Sequence, residues 1–133
     1  MGDPGLMSDL LTDAAADELA TAWIAAWNAH DVDAITAHYA DDVEYHSPFV
    51  AQLADGPGHL AGLDAVRRYV AAALARYPDL HFDPPRLVGV GARSLSMVYG
   101  SVNDLTAVET LVLDEDGKVA LALCHYRAEA PQP

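Results

Sequence analysis

The sequence predicts one α+β domain, with helices in its first half and a curved antiparallel sheet in its second, packed together around an apolar pocket. Three observations predict it. Apolar residues recur at three- and four-residue spacing as far as Tyr77. After Pro78 the period becomes two. The joints between the later apolar runs are short turn sequences, which only antiparallel neighbours accept. At 133 residues the chain has the size of a single core.

Residues 1–12 carry Gly2, Pro4 and Gly5 and predict a poorly ordered leader, residues 13–128 the domain, and residues 129–133 a tail. Thr12 or Asp13 can cap a first helix ending near Asn28, with Leu19, Ala22, Trp23, Ala26 and Trp27 on its apolar stripe. Asp31 can cap a short second helix with Val32, Ile35 and Tyr39 on one side. Val43 to Ser47 alternates and predicts a short strand. Ser47 to Gly62, broken by Pro48, Gly56, Pro57 and Gly58, predicts an apolar lid without regular structure. A third helix follows from Leu63 to Tyr77 and ends at Pro78. Four strands are predicted over Leu80–Val90, Ser94–Val102, Leu105–Leu113 and Lys118–Tyr126, the first confined to an edge or bend by Pro84 and Pro85.

Seven Lys and Arg against twenty Asp and Glu give a net charge of −13, which repels nucleic acid and anionic lipid surfaces and suits a neutral or cationic ligand. The single cysteine, Cys124, forms no intrachain disulfide and reads as a small buried hydrophobe. No run of about 18 uncharged apolar residues and no secretory signal pattern is seen, so a cytoplasmic protein is expected. The six histidines are scattered, with no pair and third ligand at zinc spacing, and no phosphate loop or nucleotide fingerprint is present. Neither metal nor cofactor is expected.

The last hairpin directs the side chains. Asp114, Glu115, Asp116, Gly117 suits a type I turn followed by a left-handed glycine, which sets Asp114 opposite Lys118. With regular pairing from there, Glu109 faces Leu123 and lies diagonal to His125, about 7–8 Å away. Both then stand on a face with Val119, Leu121, Leu111 and Leu113. The opposite face carries Thr106, Val108, Thr110, Val112, Ala120, Ala122 and Cys124. Helices of so short a chain can cover one sheet face, so the other is expected to meet a second copy.

The order helix, helix, strand, lid, helix and four strands, over Ala14 to Arg127, resembles the SnoaL-like branch of the nuclear transport factor two-like superfamily. The resemblance is carried by Trp23-Ile-Ala-Ala-Trp-Asn-Ala-His-Asp31, His38-Tyr-Ala-Asp-Asp-Val43, Gly62-Leu-Asp-Ala-Val66 and Val112-Leu-Asp-Glu-Asp-Gly-Lys-Val119. It implies a cone-shaped domain with a cavity at its mouth, a homodimer through the outer sheet face, and relatives such as ketosteroid isomerase, polyketide cyclases and limonene epoxide hydrolase. Relative to the isomerase, Glu109 stands where that enzyme has its protonated oxyanion-hole acid, Trp23 replaces the tyrosine, and Ser47 replaces the aspartate base. Relative to the epoxide hydrolase, Tyr45 matches a water-positioning tyrosine, Ser47 replaces an asparagine, and His125 replaces an aspartate. Neither reaction is implied unchanged.

Glu109, flanked by Val108, Thr110 and Leu111, must be paired, solvated or protonated, and either a pocket role or a structural ion pair satisfies that demand. The expected enzyme is a cofactor-independent isomerase, cyclase or hydrolase, foremost of the isomerase or cyclase type, acting on an apolar carbonyl or polyketide-like molecule. In it His125 moves the proton, Glu109 positions or polarises, and Tyr45 holds the oxygen. Trp23, Trp27, Ser47, Phe49 and Tyr99 are the expected substrate-binding groups. A non-catalytic binding module for a small apolar ligand is the rival, and a dimeric protein with a filled cone the third reading.

Overall fold

The computed structural model describes residues 10–53 and 56–128. The leader and tail expected at 1–12 and 129–133 therefore fall mostly outside the described residues. Leu11 donates its N–H to Ala92 O at 2.8 Å.

Helix α1 (Asp13–Asn28) starts where Thr12 Oγ1 accepts the Ala15 N–H at 3.1 Å, and it buries Trp23 and Trp27 one turn apart. Helix α2 (Val32–Thr36) is capped by Asp31, whose Oδ1 accepts the Ala34 N–H. Tyr39 does not belong to this helix, contrary to its spacing. It opens strand β1 (Tyr39–His46), because the Val119 N–H takes His38 O at 2.8 Å and draws the chain into the sheet.

The segment predicted as an irregular lid holds two elements. Pro48 occupies the first position of helix α3 (Pro48–Leu53), where its missing N–H costs nothing, and Ser47 Oγ accepts the Phe49 N–H at 3.2 Å. Gly58, at φ 85°, then turns the chain so that its carbonyl accepts the Ser47 N–H, and strand β2 (His59–Ala61) pairs antiparallel with β1. Helix α4 (Leu63–Arg76) ends just before Pro78.

Strand β3 (Leu87–Val90) is shorter than its apolar run. Pro84 and Pro85 have no N–H to give a ladder, yet the Asp83 and Arg86 N–H groups bond Gly100 O and Val98 O, keeping the segment beside strand β4 (Ser94–Gly100). Asn28 clamps it from the other side. Its amide donates to Phe82 O at 2.9 Å and accepts from Phe82 N–H at 2.7 Å. A 3₁₀ turn (Val102–Asp104) separates β4 from β5 (Leu105–Leu113), so β4 stops before the predicted Val102.

With strand β6 (Val119–Ala128) the sheet has the order β2-β1-β6-β5-β4-β3. It is curved and unclosed, with the helices on its concave face. All neighbours are antiparallel except β1 and β6, which pair in parallel across a long connection. The predicted α+β class and helical half hold. The four strands of the second half pair antiparallel as expected, and the parallel pairing of β1 with β6 adds to them.

The turn at Asp114 to Gly117 forms as its residues dictate: the Asp114 N–H bonds Lys118 O at 2.8 Å and Gly117 sits at φ 77°. Beyond it the register departs from the regular one. Leu113 faces Val119, but Val112 faces Leu121, leaving Ala120 as an extra residue on β6. A one-residue shift sends every later side chain of β6 to the other face. Glu109 consequently pairs with Cys124 instead of Leu123.

Candidate functional site

A funnel opens between the concave sheet face and α1, α3 and α4. Trp23 and Trp27 line it from α1, Phe49 and Leu53 from α3, and Tyr69 from α4. Tyr45, Tyr99, Glu109 and Tyr126 reach into it from four strands, and Phe82 stands at its side, held there by the Asn28 clamp. The rings are in mutual contact: Phe82 lies 5.0 Å from Tyr99 and Tyr45 lies 5.3 Å from Tyr69, between centroids. Phe49 meets Tyr126 edge-on at 4.8 Å. With its mouth included the funnel encloses ≈ 380 Å³, but the gap left among the packed rings is only ≈ 20 Å³, room for about one water.

Glu109 is the only fully buried acid among the described residues, at 1% exposure. Its Oε1 accepts the Tyr99 hydroxyl at 2.8 Å, and its Oε2 has no hydrogen-bond partner among the described residues. Burial raises the carboxyl pKa to about 7, with the Tyr99 hydroxyl and the Cys124 thiol pulling the other way. Burial also lifts Tyr45, Tyr69, Tyr99 and Tyr126 well above the usual phenol value, so all four remain neutral hydroxyls. Cys124 Sγ lies 3.6 Å from Tyr45 Oη and donates to it, which leaves the Tyr45 proton to another acceptor. Trp23 Nε1–H is taken by Tyr39 Oη at 3.1 Å, whereas the buried Trp27 Nε1–H has no partner among the described residues.

Of the predicted site residues, Glu109, Tyr45, Trp23, Trp27, Phe49 and Tyr99 come together around the funnel. Ser47 is buried but does not line it. Its oxygen caps α3, and its hydroxyl favours the ionised forms of Tyr69 and Tyr126. His125 is a correction. It is exposed on the outer face, with Nδ1 3.1 Å from Val108 O, because the extra Ala120 turns it away from Glu109. The place expected for its imidazole, opposite Ala107, is taken by Tyr126, and the place expected for Leu123, opposite Glu109, by Cys124. Tyr69 and Tyr126 were not predicted. Tyr69 falls three residues after Val66 and shares its apolar stripe, a signal present in the sequence, whereas the inward Tyr126 depends on the bulge.

The expected absence of a clustered metal-ligand set is corrected as well. Antiparallel pairing sets His46 opposite His59, with ring centroids 4.4 Å apart, and brings Glu44 to the same place. Spacing along the chain is blind to such cross-strand neighbours.

A curved sheet wrapped on helices, with one buried carboxyl among aromatic hydroxyls, defines a small-pocket protein of the nuclear transport factor two-like class. The SnoaL-like domain family matches residues 20–125, and the chain belongs to that family. A SnoaL-like protein of unknown function from Burkholderia thailandensis has 39% sequence identity and a TM-score of 0.85, with 90% of this chain and 99% of that one covered. Two more distant structures share the fold. A candidate ketosteroid isomerase from Kribbella flavida has 20% identity and a TM-score of 0.66, covering 89% of this chain and 82% of that one. A candidate polyketide cyclase from Sinorhizobium meliloti has 16% identity and a TM-score of 0.66, covering 81% and 94%. No curated protein sequence matches the chain. Among the described residues no helix is long and apolar enough to cross a membrane.

Proposed function

We propose that the chain is a cofactor-independent enzyme that shifts a proton within a small, mostly apolar carbonyl compound, in the manner of an isomerase or cyclase, with Glu109 as its acid-base group. One observation supports this above the others: Glu109 Oε2 and Trp27 Nε1–H, an acceptor and a donor from residues lining the same funnel, are both buried without partners among the described residues. Each such group costs about 1–3 kcal/mol, and a ligand bearing a polar atom relieves that cost. A carboxyl titrating near neutrality is suited to take a proton from carbon beside a carbonyl and return it at another carbon. Tyr45, a neutral hydroxyl with its own proton uncommitted to Cys124, holds the carbonyl oxygen as charge builds on it. Tyr99 orients the Glu109 carboxylate.

The test begins with native mass spectrometry of the purified full chain to identify a co-purifying small molecule, followed by turnover of that molecule in deuterated water. Glu109→Gln is expected to lower turnover by about 10²–10⁴-fold, and the wild-type rate to rise with pH through about 7, as a base requires. His125→Ala is expected to keep the rate. Full turnover by Glu109→Gln would refute the acid-base role. The narrow gap among the rings favours a second reading, a binding module for a small apolar ligand that closes around its guest. Here the molecule binds but no product forms, and Glu109→Gln changes affinity alone.

The partner proposed for the outer sheet face is a second copy of the chain. Leu121, Leu123 and Val112 are only half-buried there, and Val108 and Leu87 are 39% and 66% exposed, an apolar area that a monomer leaves to water. Light scattering is expected to give a dimer mass for the wild type and a monomer mass for Val108→Asp at unchanged circular dichroism. A monomeric wild type at tens of micromolar overturns the dimer. A cytoplasmic setting fits the free, buried thiol of Cys124.

A further inference from the structure

We propose that Glu44, His46 and His59 bind one divalent transition cation of the zinc class at the β2 edge of the sheet, on the face away from the funnel. The three are placed by backbone pairing. Glu44 and His46 are two residues apart on β1 and so share a face, and His59 lies directly across from His46 on β2. The ladder is fastened at both ends, by the Ser47 N–H on Gly58 O at 2.9 Å and the Gly62 N–H on Val43 O at 2.8 Å. Gly58 is required for that fastening: a Cβ there meets Ser47 O at 3.2 Å, and its φ is +85°. The ligand positions thus sit on a fixed frame while the side chains reach toward solvent.

One ligand atom from each residue lies within 4.8 Å of the other two. Tetrahedral zinc with bonds near 2.1 Å separates its ligand atoms by about 3.4 Å, so a closure of roughly 1 Å completes the site. The two imidazoles are now stacked, with planes 22° apart, and must swing to converge. Glu44 and His59 are exposed and His46 half-buried, so no core packing opposes those rotations. Two imidazole nitrogens with one carboxylate select zinc and its neighbours over magnesium or calcium, which take oxygen donors. Three protein ligands leave a fourth position to water. The net charge of −13 raises the local concentration of cations. Because the ligands come from two strands, a bound ion also ties β2 to β1.

Isothermal titration of Zn²⁺ into the full chain, free of any polyhistidine tag and stripped with a chelator, tests the site. Saturable binding of one ion per chain is expected, with a higher melting temperature and no response to Mg²⁺. Co²⁺ in the same position is expected to show the intense visible bands of a tetrahedral site. His46→Ala and His59→Ala are each expected to weaken binding by at least about tenfold, and Glu44→Gln to weaken it too, at unchanged circular dichroism. His125→Ala, on the same sheet face, is expected to leave it unchanged. Absence of saturable Zn²⁺ binding overturns the site, as does binding that survives in the His46→Ala/His59→Ala double variant.

Discussion

Glu109→Gln is expected to abolish a pH-dependent loss of stability that the wild-type chain suffers between about pH 4.5 and 7. The folded carboxyl titrates at about 7 against an ordinary value of 4.5, because burial penalises its charge. Between those values the native state keeps a proton that the unfolded chain releases. Stability is therefore fully present below pH 4.5 and falls as pH rises to about 7, after which it is level. A shift of this size corresponds to about 3 kcal/mol, at 1.36 kcal/mol per unit. Glutamine fills the same space without a charge to desolvate. Urea unfolding of both proteins from pH 4 to 8 reads the difference, which is expected to move in favour of the variant by about 3 kcal/mol over that span. The other nineteen acids titrate in both proteins and cancel in the subtraction. A difference that stays constant with pH would mean that Glu109 ionises as freely folded as unfolded. Tyr99→Phe supplies a control of opposite kind: losing the hydroxyl that favours the carboxylate is expected to carry the window upward in pH.

The buried acid was legible because its signal is local. A carboxylate between Val108 and Thr110 in an alternating strand points inward with Ala107 and Leu111, and all three are buried as the alternation requires. Trp23 and Trp27 were legible for the same reason, through the helical spacing of α1. What could not be read was set by contacts distant in sequence. Tyr39 fits the stripe of α2 but is claimed by β6. Helix α3 follows from Ser47 and Pro48, a cap and a first-turn residue, yet the surrounding glycines hid it. The facing of β6 turned on Ala120, and alanine carries no bulge signature. The energetic reason for a bulge there lies in the residues that follow it. Without the bulge, with Ala120 paired opposite Val112, Leu121, Leu123 and His125 would point into the funnel, and Ala122, Cys124 and Tyr126 would point out. The observed register instead puts the small Ala122 and Cys124 beneath the crowded rings, and leaves the imidazole in water.

That comparison makes the residue count at Ala120 a direct test of the register. Deleting Ala120 leaves Leu121 next to Val119, so Val119 still faces Leu113, Leu121 still faces Val112 and Cys124 still faces Glu109: the bulge closes and no side chain is reversed. Reversal would follow only from keeping Ala120 and pairing it opposite Val112, which forces two leucines and an imidazole into a space with ≈ 20 Å³ to spare and carries the Cys124 thiol away from Glu109. Overpacking costs about 1–3 kcal/mol per site and an unpaired buried polar group about as much again. Together these approach the whole stability of a domain, about 5–15 kcal/mol. The Ala120 deletion meets none of these costs and is expected to keep its cooperative thermal transition and its near-ultraviolet circular dichroism, as is Ala120→Gly. A deletion variant that loses its cooperative transition would show that the bend the bulge gives β6, and not the pairing alone, is needed for the sheet to wrap the helices.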